Sequence, residues 1–236
     1  MNTVLEMLRG GLIVSCQAPT DSPLGRPEII AALAETAEQN GGVGLRIDSP
    51  ENIRAVKQRV KLPVLGIYKV VSGSSEVYIT PTFDAAEQII AAGADMIALD
   101  GTPRPRPDGE TFTGIVSQVR DKFHCPVMAD VALYDDGMRA AEIAGVNVLS
   151  TTLSGYTEET KHLKAPDFEL VERLARSAAI PVICEGRLRS VDDVRRAFDC
   201  GAFAVVVGGA ITGIDQLVTQ FASATPVGAE TVGHIR

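Results

Sequence analysis

The 236-residue sequence predicts a single (β/α)8 TIM barrel behind a short N-terminal helix, and three observations carry that prediction. Eight short segments rich in Val, Ile and Leu recur along the chain. Helix-patterned stretches separate them, and glycine and proline punctuate the alternation in a regular order. Strands that alternate with helices pair in parallel through right-handed crossovers, and eight such units favour closure over an open sheet.

The elements follow in order. The start, MNTVLEMLRGG, carries Glu6 and Arg9 among its apolar residues, which suits a short amphipathic helix and not a secretory leader. The apolar segments cover residues 11–17, 43–48, 64–70, 96–100, 127–131, 146–152, 182–186 and 203–208. Between the first two, Ile29, Ile30, Leu33, Ala34 and Ala37 fall at three- and four-residue spacings, one face of a helix. Pro63, Pro126 and Pro181 stand just before the third, fifth and seventh segments, and proline is tolerated at the first position of a strand. Gly42, Gly93, Gly145 and Gly201 stand before the even ones, where glycine stops a helix in the left-handed conformation. Ser49-Pro50-Glu51 and the pair Ser190 and Asp193 read as helix starts. Residues 1–224 are therefore expected to form one barrel domain, with 225–236, which lack periodicity, as a C-terminal tail.

Composition narrows the function classes. A net charge of −8 argues against nucleic acid and anionic membrane as partners, so an anionic metabolite would have to be met by local cations or aimed backbone amides. No apolar run approaches the roughly 18 residues that cross a bilayer, and the cytoplasm is the expected location. Cys16, Cys125, Cys184 and Cys200 form no C-x-x-C pair and read as reduced thiols.

In a barrel of this type, chemistry belongs to the carboxyl ends of the strands. The last polar residues there are Gln17, Arg46, Lys69, Asp100, Asp130, Thr151 with Thr152, Glu185, and the pair Gly208-Gly209. Charge at the end of an apolar strand is costly unless it is paired or used. Lys69, desolvated near Arg46, would lose its proton readily and could serve as a base; a salt bridge to Asp130 or Asp100 is the structural alternative. Glu185 could stay protonated and act as an acid, or pair with Arg46 or Arg187. Asp100 fits a structural role as well as a functional one. Phosphate in such barrels often sits between the loops after strands seven and eight, here Gly186-Arg187 and Gly208-Gly209. His124, His162 and His234 lie away from the strand ends, so no metal site is expected. Residues 154–166 read as a lid with Tyr156 as a substrate contact, and Arg104-Pro105-Arg106-Pro107 as a stiff basic loop.

Taken together, Gly10-Gly11-Leu12-Ile13-Val14-Ser15-Cys16-Gln17, Gly66-Ile67-Tyr68-Lys69, Ile97-Ala98-Leu99-Asp100-Gly101-Thr102, Met128-Ala129-Asp130, Thr151-Thr152-Leu153-Ser154-Gly155-Tyr156-Thr157, Glu185-Gly186-Arg187 and Val206-Val207-Gly208-Gly209-Ala210-Ile211-Thr212 resemble the N-acetylmannosamine-6-phosphate 2-epimerases of sialic acid catabolism. The resemblance spans nearly the whole chain. It implies cofactor-independent interconversion of N-acetylmannosamine 6-phosphate and N-acetylglucosamine 6-phosphate, with Lys69 matching the base and Glu185 the acid. It further implies Gln17, Arg46, Asp130, Thr151 and Tyr156 as substrate contacts, Gly186, Arg187, Gly208 and Gly209 as the phosphate grip, and a homodimer. Two positions depart from the family pattern: Val70 stands where a basic residue usually follows the lysine, and Gly213 where an arginine often follows Ala-Ile-Thr. A Schiff-base aldolase acting through Lys69 and a non-catalytic barrel that binds amino-sugar phosphate are the competing readings.

Overall fold

The computed structural model describes residues 3–19, 21–73 and 75–227. Eight parallel strands close into a barrel in chain order: β1 (Leu12–Cys16), β2 (Gly44–Asp48), β3 (Val64–Ile67), β4 (Met96–Asp100), β5 (Val127–Asp130), β6 (Val146–Ser150), β7 (Val182–Glu185) and β8 (Ala204–Val207). The helices are α1 (Thr3–Leu8), α2 (Pro27–Gln39), α3 (Pro50–Lys57), α4 (Phe83–Ala91), α5 (Phe112–Phe123), α6 (Tyr134–Ala141), α7 (Phe168–Ser177), α8 (Val191–Asp199) and α9 (Ile214–Ser223).

Strand residues alternate between two cores, as the pleat requires. Ile13, Leu65, Ile67, Met96, Ala98, Met128, Val148, Ile183, Ala204 and Val206 point inward and fill the barrel. Val14, Leu45, Ile47, Val64, Ile97, Leu99, Val127, Ala129, Leu149 and Val182 point outward beneath α2–α7. Leu5 and Leu8 of α1 join the inner core, so the N-terminal helix closes the barrel at the amino ends of the strands. In seven of the eight strands the inward row continues into a polar residue at the carboxyl end, while in β8 it reaches Gly208, and this positions the site.

The expected helix starts are present: Ser49 Oγ accepts from Asn52 N–H at 3.5 Å ahead of α3, and Ser190 and Asp193 exchange bonds of 3.1 and 3.0 Å ahead of α8. Two expectations need correction. The stop before β2 is Gly41 (φ 92°) and not Gly42, because the left-handed residue must directly follow the last helical turn. The third strand ends at Ile67 instead of running to residue 70: the chain there turns to pair with its own return, bridging Lys69 to Ile79 antiparallel. The expected tail lies outside the described residues from 228 onward, His234 included. No helix among the described residues is long and apolar enough to cross a membrane.

Candidate active site

Parity decides which side chains meet. Gln17, Arg46, Lys69, Asp130 and Glu185 each lie two positions beyond an inward residue of their own strand, and all five converge on the barrel mouth. Arg46 is the anchor. Only 1% exposed, it makes a bidentate bond to Asp130 (2.6 and 3.2 Å) and a further bond to Glu185 Oε2 at 2.8 Å. Burial works against its charge, but the two carboxyl groups outweigh burial and raise its pKa, so Arg46 stays a cation. A buried pair of this kind is held together by its satisfied geometry; removing one partner would strand the other charge.

Glu185 is the group whose protonation is tuned. Burial lifts its pKa to about 7; Arg46 opposes the shift and the neighbouring Asp130 carboxylate reinforces it. The Thr152 hydroxyl, 2.7 Å from Asp130 Oδ1 and 3.0 Å from Glu185 Oε2, works against the shift by favouring the carboxylate. The ion pair with Arg46 and a protonatable Glu185 therefore coexist.

Lys69 stands across the mouth. Its Nζ donates to Gln17 Oε1 at 2.5 Å, and Gln17 is in turn fixed by donating to Ser15 Oγ at 2.8 Å. Its pKa is lowered, chiefly by burial and further by Arg46, while Asp48, Glu185 and Asp130 pull the other way. The side chain is open to solvent on the mouth side but ringed by protein elsewhere, so a ligand that covered the mouth would complete its desolvation. No salt bridge links Lys69 to Asp100 or Asp130 among the described residues. Asp100 serves its own loop, accepting from Arg104 Nη2 (2.6 Å), Thr102 N–H (2.9 Å) and Thr102 Oγ1 (2.6 Å). The Arg104–Pro107 run is likewise turned inward, with Arg106 donating to the carbonyls of Thr80, Pro81 and Asp100.

The remaining candidates surround this centre. Thr151 lies behind it, on the opposite parity from Thr152. Its hydroxyl donates to the Glu185 carbonyl (2.9 Å) and accepts from the Glu185 N–H (3.1 Å), positioning that residue's backbone. The loop after β7 takes two left-handed residues, Gly186 (φ 110°) and Arg187 (φ 60°). The guanidinium of Arg187 lies over Tyr156, 4.1 Å from the ring centroid, and donates to the carbonyls of Ser154 and Gly155, both at 2.7 Å. It thus ties the loop of residues 154–166 to the loop after β7. A Cβ at Gly155 would lie 2.3 Å from Arg187 Nη1, so only glycine admits the contact. After β8, Ile211 and Thr212 amides close one turn on the Gly208 carbonyl (2.8 and 2.9 Å), and Thr212 Oγ1 ties it to Ser15 O at 2.6 Å. The first amides of such a turn have no partner within it. Gly213 packs on Gly209, where a Cβ would come within 2.7 Å of its Cα and O, which accounts for the missing side chain there. Val70 is more than a third exposed, and no contact of its side chain explains the departure.

Two residues of the mouth were not among the expected ones. Asp48 ends β2 and accepts from the Lys69 N–H at 2.9 Å. It shares the parity of Arg46, two positions earlier, and strand alternation alone would have marked it. Tyr78 reaches the carboxylate cluster from the return segment after Lys69, and burial raises its pKa. That approach is long-range and leaves no local signal.

A family profile described as "Putative N-acetylmannosamine-6-phosphate epimerase" matches residues 30–226. A "Putative N-acetylmannosamine-6-phosphate 2-epimerase" from Synechococcus elongatus is 51% identical over 222 residues, 93% of this chain and 95% of its own. Its counterpart from Clostridium perfringens is 40% identical over 218 residues, 92% and 98% of the two chains. A solved structure of the N-acetylmannosamine-6-phosphate 2-epimerase from Clostridium perfringens superposes with a TM-score of 0.90 at 39% identity, covering 95% of this chain and 97% of that one. A FabK variant from Thermotoga maritima, with a TM-score of 0.59 and 19% identity, shares the fold alone. With the profile covering most of the chain and relatives matching it over nearly their full length, the chain belongs to the N-acetylmannosamine-6-phosphate 2-epimerase family of isomerases.

Proposed function

We propose that this enzyme inverts C2 of N-acetylmannosamine 6-phosphate to give N-acetylglucosamine 6-phosphate, in the cytoplasm, within the breakdown of sialic acid. The observation that carries the reading is one mouth holding an amine with lowered pKa and a carboxyl titrating near 7, bridged by the Arg46–Asp130 pair. Neutral Lys69 removes the proton from C2 of the open-chain aldehyde, and the electron pair moves through C1 onto the aldehyde oxygen. Gln17 and the Arg46 charge favour the developing enolate. Glu185 then protonates C2 from the opposite face, and exchange with water returns both groups to their starting states. The phosphate is held by the loops at 186–187 and 208–212, where backbone amides and the fixed charge of Arg187 offset the acidic surface.

Lys69→Ala and Glu185→Ala are each expected to lose about 10²-fold or more of kcat, as suits positioned proton-transfer groups. Reaction in D2O is expected to place deuterium at C2 of the product. Full activity in either variant, or product free of deuterium, would refute the reading. A borohydride-stable adduct on Lys69 would favour the Schiff-base alternative instead. Binding of the sugar phosphate without turnover would favour the non-catalytic one.

The enzyme also acts as a homodimer in this reading. Ile214, Val218 and Phe221 of α9 are exposed, and no residue of that helix is buried, a pattern that a second copy would relieve.

A further inference from the structure

We propose that Asp48 is a positioning residue for the reaction: its carboxylate fixes the main chain at Lys69 and sets a compensating charge beside the amine. The inference rests on the reading of Lys69 as the base. It begins with a break in the β2–β3 ladder. Asp48 pairs with Ile67 and the Ser49 N–H donates to the Ile67 carbonyl at 3.0 Å, so a regular parallel ladder would next offer the Ser49 carbonyl to the Lys69 N–H. That carbonyl is absent from the ladder. Ser49 sits at φ 78°, ψ 146°, a region almost reserved for glycine, and its carbonyl accepts from Ile53 N–H at 3.1 Å in the first turn of α3. Asp48 Oδ1 replaces it, 2.9 Å from the Lys69 nitrogen. Asn52 Nδ2 holds the Asp48 carbonyl at 2.9 Å and steadies the substitute acceptor.

The other side of Lys69 is strapped as well. Tyr68 N–H donates to Thr80 Oγ1 (3.1 Å), Thr80 N–H to Tyr68 O (2.8 Å) and Val70 N–H to Tyr78 O (2.9 Å). Lys69 is beyond its strand, yet its backbone is bound on both flanks. The groups facing its amine are Gln17 just after β1, Arg46 and Asp48 from β2, Asp130 from β5 and Glu185 from β7. Among these charges Asp48 acts most strongly on the amine, and it favours the ammonium against burial and Arg46. Asp48 therefore does two separable things, and two substitutions divide them. Asp48→Asn keeps an acceptor for the Lys69 N–H and removes the charge. Asp48→Ala removes both.

The test is competitive acetylation of the full-length enzyme with acetic anhydride across pH, reading Lys69 by peptide mass spectrometry. In Asp48→Asn the Lys69 titration is expected to move to lower pH, with labelling at pH 7 faster by roughly threefold or more. In Asp48→Ala, kcat is expected to fall about tenfold or more while KM changes little, because the base is misplaced and the phosphate grip is untouched. A Lys69 titration in Asp48→Asn that coincides with wild type overturns the proposal, and so does wild-type kcat in Asp48→Ala. Turnover surviving in Lys69→Ala would remove the base reading instead, and the labelling curve would still report on Asp48.

Discussion

Glu185 and Asp130 show how two carboxyl groups in one site are held differently. Asp130, fully buried, has both oxygens engaged by Arg46; Glu185 receives one of those nitrogens and shares the Thr152 hydroxyl with its neighbour. The consequence for stability has a definite sign. An unfolded glutamate titrates near 4.5 and folded Glu185 near 7, so between these values the folded state holds the extra proton. Wild-type stability from this group is therefore complete below about pH 4.5 and is lost as pH rises through about 7. Glu185→Gln has no such proton to lose. Its Tm relative to wild type is expected to rise between pH 5 and pH 8; a difference constant across that range would contradict the assignment. For activity, the working state needs neutral Lys69 and protonated Glu185, two populations that move oppositely with pH. The kcat/KM profile is expected to be bell-shaped with one limb near pH 7, and that limb should vanish in the residual activity of Glu185→Gln. At this scale the site was largely legible, because a charge at the end of an apolar strand has few other uses. Asp48 went unread since Arg46 had already been taken as the last polar residue of its strand. Thr151 and Thr152 could be separated only once the register of β6 was known.

The loops after β6 and β7 are tied to each other, while the loop after β8 is anchored on β1. Arg187 joins the first two through the Ser154 and Gly155 carbonyls, and Thr212 joins the third to β1. The close contact of Gly213 with Gly209 sets an expectation for restoring the family's arginine. Gly213→Arg adds a cation, but its Cβ would press on the Gly209 backbone, so KM for the sugar phosphate is expected to rise severalfold. Overpacking of this kind also costs about 1–3 kcal/mol of stability, measurable by urea denaturation. A lower KM with unchanged stability would show that the loop yields. Glycine and proline made the eight units and their order readable, since each sets a backbone conformation locally. They did not reveal the early end of β3. The pairing of Lys69 with Ile79 depends on a return segment whose partner is known only after folding, and Thr80 at φ 44° pays for that turn.

At the level of the molecule, α9 stands apart from the other long helices. The rest bury at least one residue against the barrel, whereas α9 buries none and leaves Phe221 73% exposed. For the proposed homodimer, Phe221→Glu is expected to shift the mass seen by analytical ultracentrifugation from two chains to one. A wild-type mass of one chain would remove the proposal. Sequence patterning could not say what the apolar residues of that helix meet, because an amphipathic stripe looks the same toward a core or a partner.

The two leucines of α1 have a consequence for traffic. Leu5 and Leu8 close the far end of a barrel already filled by its own side chains, so among the described residues the site opens at the carboxyl ends of the strands. Incoming sugar, outgoing epimer and the water that resets the proton carriers must all use that opening in turn. Each epimer therefore occupies the place the other needs, and inhibition by product is expected to be competitive in initial-rate measurements, in whichever direction the reaction is run.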